Sequence, residues 1–309
     1  MARRASIIEV AAPLDGPPPF GAHALPAILE RLRRFGIGLG RGLLARWATS
    51  LIRRACVLGR SDPFDIEPFP GQCARLYPRD NLSEKRVFSA VQFWDWAERA
   101  ALARAAAARP SGFRFVDAGS NVGLYTLAAR SAAHGDFRAL AIEPDAENLR
   151  RLRFNLAASG AGGAVTVAPV ALSDKPGEAV LGTGDGNRGE IALGGGTGVT
   201  VPTQPLLDLV QDAGFDRIDA LKIDIEGMEA PVLAAFYATA PTALWPAIVL
   251  IEARRGAATP ALAHLRATGY VELERTRMNV ILGAPEAGWP QTQTETEAEA
   301  ETGGAHGKA

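Results

Sequence analysis

Between residues 110 and 285 the chain alternates short apolar runs with stretches of helical period. Runs at 113–118, 137–143, 165–172, 220–225, 247–253, 270–276 and 279–283 predict strands. Patterns at 121–133, 145–158, 205–213, 228–240 and 259–268 predict helices. Apolar strands separated by helices imply a doubly wound α/β fold, its mostly parallel sheet covered on both faces. Only Arg277 and Met278 separate the last two strands, which predicts a closing antiparallel hairpin at the sheet edge. The pattern breaks from Glu178 to Val201. Eight glycines lie between Gly182 and Gly198, as expected of a flexible hairpin or lid.

Outside this region the pattern changes twice. Residues 61–109 read as a preface or cap, turn-rich at Pro63, Pro68, Pro70 and Pro78 and ending in a helix from about Val87 to Ala108. Residues 1–60 read as a basic extension, loose at Pro17, Pro18 and Pro19. Residues 31–60 contain eight arginines and no acidic residue. On a helical wheel Leu43, Leu44, Trp47, Leu51 and Leu58 fall within ~100° of one another, with Arg46 and Arg53 opposite. Such a basic amphipathic helix fits an anionic membrane surface or a place docked on the main domain. Arginines interrupt the best candidate span, and Glu9 cuts short any signal core, so a cytoplasmic protein is the expectation, with peripheral membrane contact through residues 31–60 as the alternative to a docked helix. Residues 286–309 are expected to form a disordered tail, since Gln291–Ala309 carries no large apolar residue.

Composition narrows the field. A chain of 309 residues, 47% hydrophobic, can bury a full core. The net charge of -1 gives no general pull toward nucleic acid. The two cysteines and four scattered histidines form neither a disulfide framework nor a zinc motif.

The chemistry concentrates at strand ends. Phe113, Phe115 and Val116 lead into Asp117 and the turn Gly119-Ser120-Asn121-Val122-Gly123, from which a helix is expected near Asn121. A strand, glycine turn and helix build a nucleotide pocket at the carboxyl edge of such a sheet. Gly119 allows the sharp turn and close approach to a ligand, and Gly123 allows the helix to pack on the strand. The next strand ends in Glu143-Pro144, where an acidic side chain can accept bonds from both ribose hydroxyls. The glycine spacing is G-x-x-x-G, lacking the second glycine of a dinucleotide loop. That suits a nucleoside with an amino-acid tail, S-adenosylmethionine. Asp117 then faces the methionine ammonium, and Gly119, Ser120 and Asn121 offer backbone groups to the same tail. Ser173 or Asp174 bonds the adenine amine, or forms a plain turn before Pro176-Gly177.

The strings VDAGSNVGLYTLAAR, AIEPDAENLRRLRFNL, PVALSDKPGEAVL, LKIDIEGMEAPVL and IVLIEA resemble the FkbM family of S-adenosylmethionine-dependent methyltransferases. The preface LYPRDNLSEKRVFSA…WAERAAL resembles the segment preceding that family's fold, so the likeness spans roughly residues 70–285. It implies a class I methyltransferase (Rossmann-like) sheet of seven strands and O-methyl transfer to a hydroxyl of a sugar, glycolipid or polyketide-type small molecule. The family's Thr-Leu-Asp ahead of KIDIEG reads Pro205-Leu206-Leu207-Asp208 here, with the aspartate shifted by one.

Asp224 and Glu226 stand on one side of the fourth strand end, as catalytic base, acceptor anchor or divalent-cation ligands. Lys222 is read as lying on the other side, a structural ion-pair partner, and Glu252 as a pocket-edge carboxylate. Two other classes remain at this stage: a nucleotide-binding oxidoreductase on a related fold, and a non-catalytic module that binds membrane or a partner.

Overall fold

The computed structural model describes residues 9–10, 16–182, 198–253 and 259–284. The chain opens with β1 (Glu9–Val10), α1 (Ala27–Gly38), α2 (Leu43–Val57), β2 (Phe64–Phe69), β3 (Gln72–Leu76), α3 (Leu82–Ala90) and α4 (Trp96–Ala107). The alternating region begins with β4 (Gly112–Ala118), α5 (Leu124–Ala132), β5 (Asp136–Ile142), α6 (Ala146–Ala158) and β6 (Val165–Ala168). A side hairpin follows, built from β7 (Ala171–Leu172), β8 (Gly177–Gly182) and β9 (Gly198–Gln204). The region continues with α7 (Leu206–Asp212), β10 (Ala220–Ile223), α8 (Glu229–Thr239) and β11 (Ile248–Glu252). It closes with α9 (Pro260–Ala267), β12 (Val271–Arg275) and β13 (Asn279–Gly283).

The seven principal strands run β6-β5-β4-β10-β11-β13-β12, and the two-residue β1 adds antiparallel to the β6 edge. β4, β5, β6, β10 and β11 are parallel neighbours. The terminal hairpin lies at the far edge as expected. Its inner strand, β13, is antiparallel to both β11 and β12. Strand alternation separates two cores. Phe113, Phe115, Ala139 and Ala141 face one, while Val116, Ala118, Leu140 and Ile142 face the other. That arrangement accounts for near-continuous apolar runs in strands covered on both faces.

The N-terminal residues share the first of these cores. Leu25, Ile52, Cys56, Phe64, Leu76, Val87, Phe88 and Leu102 cluster with Phe113, Leu127 and Leu152. Pro17–Pro19 are not loose: the carbonyls of Pro18 and Pro19 accept from Nη1 and Nη2 of buried Arg75, each at 2.9 Å. Arg75 also forks onto buried Asp65 at 2.7 and 2.9 Å. The preface has more structure than its prolines suggested. β2 and β3 pair as a hairpin, and the helix expected over Val87–Ala108 divides into α3 and α4. The break falls at Asp95, whose φ of 39° no helix interior allows. The expected 165–172 strand divides too, because β7 leaves the main sheet to pair with β9. The expected lid segment is a hairpin at 177–182 and 198–204; its glycine-rich tip, like the tail 286–309, lies outside the described residues.

Candidate active site

One cavity opens at the carboxyl ends of β4, β5, β10 and β11. The loop after β4 forms one wall through Gly119, Ser120, Asn121 and Val122. Helix α5 begins at Leu124, three residues later than expected, because Asn121 and Gly123 have φ of 51° and 86°. Gly119 has a φ of 76°, and a Cβ there would stand 1.8 Å from the Asp224 carbonyl oxygen. Its glycine therefore serves the contact between two loops rather than approach of a ligand alone. A Cβ on Gly123 would meet Leu152 of α6 at 2.5 Å. The close packing there is helix to helix, not helix to strand, and Gly123 does not line the cavity.

Glu143 sits at the tip of β5, buried, and lines the cavity. Its Oε2 accepts from the Asn121 N–H at 2.8 Å, and its Oε1 accepts from the Asp145 N–H at 3.0 Å. Burial raises its pKa to about 7 despite these bonds.

Asp117 is fully buried beneath the loop and is not among the residues facing the cavity. Its Oδ2 accepts from the Thr126 hydroxyl at 2.6 Å. Asp117 and Lys222 are register partners on adjacent strands and share one face of the sheet. Lys222 was expected on the far side from Asp224. The two-residue period places 222 and 224 together, and Lys222 Nζ lies 3.3 Å from Asp224 Oδ2 and 2.9 Å from the Gly119 carbonyl. Burial pulls the Lys222 ammonium down, but the Asp224 and Asp117 carboxylates more than offset this and hold its pKa above the ordinary value. Burial likewise raises Asp117, against the pull of Lys222 and Thr126.

Asp224 and Glu226 do meet in the cavity, joined by Glu252 from the end of β11. One carboxylate oxygen of each can lie within 4.8 Å of the others. Glu226 holds a φ of 53° and Gly227 one of 105°, so the turn after β10 reverses tightly and brings Glu226 back to the cavity. Glu229 fixes this turn by accepting from the Ile225 and Gly227 N–H groups.

Ser173 and Asp174 bond each other at 3.0 Å on the surface, and neither faces the cavity. The wall there is apolar: Val170, Ala171 and Leu172, with Leu181 reaching over from β8. β7 turns away to pair with β9, which draws the two polar residues out with it.

Several lining residues escaped the sequence. Asn81 caps α3 and donates to Asn121 Oδ1 at 3.1 Å. Tyr125 donates to Asp95 Oδ2 at 2.8 Å, and the Lys222 ammonium lies 5.5 Å from the Tyr125 ring centre. Burial and the charge of Glu98 raise the Asp95 carboxyl. Arg86 and Trp94 complete this wall. Trp94 and Asp95 join the lining at the α3–α4 break.

The strand order, the covered faces and a cavity at the switch between β4 and β10 define a class I, Rossmann-like methyltransferase fold. The methyltransferase FkbM domain matches residues 117–272, just over half of the chain, and the protein belongs to that family. No curated protein matches it. Among solved structures, the FkbM methyltransferase of Methylobacillus flagellatus KT is similar at 17% identity and a TM-score of 0.37. That alignment covers 66% of this chain and 55% of the other, so the protein spans about half the length of that relative. The N-terminal domain of human METTL16, in complex with SAH, shows 14% identity and a TM-score of 0.38, covering 63% and 69%. An O-methyltransferase from Bacillus cereus, also with SAH, shows 10% identity and a TM-score of 0.37, covering 60% and 80%.

Proposed function

We propose that the protein transfers a methyl group from S-adenosylmethionine to a hydroxyl of a sugar, glycolipid or polyketide-type small molecule. The observation that carries this reading is the shared cavity: Glu143 and the β4 loop line one part of it, and Asp224, Glu226 and Glu252 another. The residues fit the cofactor. Ser120 Oγ, buried in the loop, has no hydrogen-bond partner among the described residues. Glu143 Oε1 already accepts from the Asp145 N–H and the Asn148 amide, which leaves Oε2 to take a ribose hydroxyl beside the Asn121 N–H, and the apolar wall of Val170–Leu172 suits an adenine ring. Five acidic side chains in the lining favour a cationic ligand.

When bound, the cofactor supplies an electrophilic methyl carbon on a positively charged sulfur. Glu143 and the β4 loop would hold that group, and a carboxylate across the cavity would take the proton that an acceptor hydroxyl gives up on methylation. Asp224 is the first candidate to take it, with Glu226 beside it. Lys222 holds Asp224 in place through their ion pair and ties it to the Gly119 carbonyl, so base and cofactor loop keep one relative position.

Calorimetry with S-adenosylhomocysteine tests the assignment. Glu143→Ala is expected to weaken binding roughly 10–100-fold, the scale of one bond to a charged group. Asp224→Ala is expected to keep binding within a few-fold and to lower turnover on hydroxylated acceptors by roughly 10²–10⁴-fold. Wild-type affinity in Glu143→Ala would remove the ribose assignment and the function resting on it.

A further inference from the structure

We propose that α1 and α2 dock the protein on an anionic lipid bilayer. The packing of α2 is the starting point. Its buried side chains are Ala45, Thr49, Ile52 and Cys56, mostly small. On the opposite arc stand Leu43, Leu44, Trp47, Leu51 and, just past the helix, Leu58, which are 58–86% exposed. At ~100° per residue the exposed set and the buried set centre on nearly opposite sides of the helix. A core-facing helix places its largest apolar groups inward; this one turns them out.

Helix α1 repeats the arrangement. Ile28, Leu32, Phe35 and Leu39 follow one stripe at spacings of four, three and four residues, and all are exposed. The two helices pack closely: a Cβ on Gly36 would come 2.8 Å from Ile52 Cδ1. Together they leave nine large apolar side chains in solvent within one helical pair. Exposed apolar side chains in that number on one helical pair mark an interaction site.

Charge selects the occupant. Arg31, Arg41, Arg46 and Arg54 are exposed on the same two helices or the link between them, and residues 31–60 hold no acidic residue. Arg46, Ser50 and Arg54 line a shallow groove with Trp47 and Leu51. Leucine and tryptophan to enter the headgroup boundary, with arginines at their flank to meet lipid phosphates, is the pattern of an interfacial anchor. Among the described residues no helix is long and apolar enough to cross a membrane, so the contact is with the surface. The inference stands apart from what the cavity methylates.

Vesicle flotation of the full chain tests it. Binding to phosphatidylglycerol-rich vesicles, with little on phosphatidylcholine alone and loss of binding in high salt, is the expected result. Leu44→Glu/Trp47→Glu should lower the bound fraction at least tenfold. Arg31→Gln/Arg54→Gln should lower it roughly 25-fold, about fivefold for each charge. If a variant fails to fold, the wild type still answers through Trp47: its emission, isolated by difference from Trp47→Phe, should shift to the blue on adding anionic vesicles. Absence of flotation and of that shift overturns the proposal. So does equal binding to phosphatidylcholine. A dimer in light scattering that Leu44→Glu/Trp47→Glu separates would overturn it as well, by assigning the face to a second copy of the chain.

Discussion

Gly119 meets two independent demands. Its φ of 76° lies where a side chain costs about 1–3 kcal/mol, and an added Cβ would overlap the Asp224 carbonyl. Neither the loop after β4 nor the turn after β10 can yield without moving the other. Gly119→Ala should therefore lower stability by at least ~2 kcal/mol in urea denaturation and weaken S-adenosylhomocysteine binding with it. Unchanged stability would mean that the two loops are not in contact. Glu143 offers a pH test. Its pKa, pushed up to about 7 by burial, leaves much of the carboxyl protonated at neutral pH before ligand binds. A ribose hydroxyl donates to the ionised form, so binding favours that form and releases protons. Affinity should rise roughly tenfold from pH 6 to pH 8, and Glu143→Gln should bind weakly with that slope removed. A flat wild-type profile by calorimetry would contradict this account.

Among the elements, the region of strict alternation was the most readable. Strands such as 113–118 and 279–283 lie within a residue of expectation because both sheet faces are covered and most positions are apolar. Glu143, Asp224 and Glu252 were legible for the same reason, since strand ends are fixed by the strands; Glu226 reaches the cavity by the turn after β10, which ends at Ile223, and not by strand alternation. The failures have physical causes. Asp95 and Asn121 adopt left-handed backbone, which their short polar side chains tolerate better than most but do not impose, so the α3–α4 break and the late start of α5 went unseen. Ser173 and Asp174 follow β7 out of the main sheet, a pairing set by distant partners, Thr203 for Ala171 and Gln204 for Leu172. Lys222 was misplaced through parity rather than chemistry. The preface was least readable because its contacts are long-range: Arg151 of α6 bonds Glu84 at 2.9 Å, and Asn155 accepts from the Arg75 N–H at 2.7 Å. Glu84 is buried, and burial raises it to about 7 even with Arg151 beside it. Glu84→Ala should destabilise the protein by about 3 kcal/mol, because Arg151 then loses one buried partner, whereas Glu84→Gln should cost less by retaining the bond to the Tyr77 N–H. Equal and negligible losses in thermal unfolding would show that the preface is not held through this pair.

At the scale of the whole molecule, the N-terminal helices present two opposite surfaces. The outward one carries the exposed apolar stripes. The inward one belongs to the same core as the sheet, where Leu25, Ile52 and Cys56 cluster with Phe64 and Phe88. Arg33, buried on α1, donates to the Phe88 carbonyl at 3.1 Å and pairs with Glu30 at 2.7 Å. Phe88 follows the segment that caps the cavity at Asn81, Leu82 and Ser83. Residues 1–60 therefore support α3 from behind, and α3 supports the cavity wall. Their removal would uncover Phe88 and leave its carbonyl without this donor. Burying one large apolar residue less, with a lost bond to a charged group, amounts to ~4 kcal/mol, and for a domain of this size each kcal/mol moves the midpoint by roughly 2–4 °C. A chain lacking residues 1–60 should accordingly unfold roughly 8–16 °C lower in calorimetry and bind S-adenosylhomocysteine less tightly, since Asn81 holds Asn121 and Asn121 holds Glu143. If the shortened protein melted and bound like the full chain, the helices would be a detachable anchor, and their inner face would have no part in shaping the site.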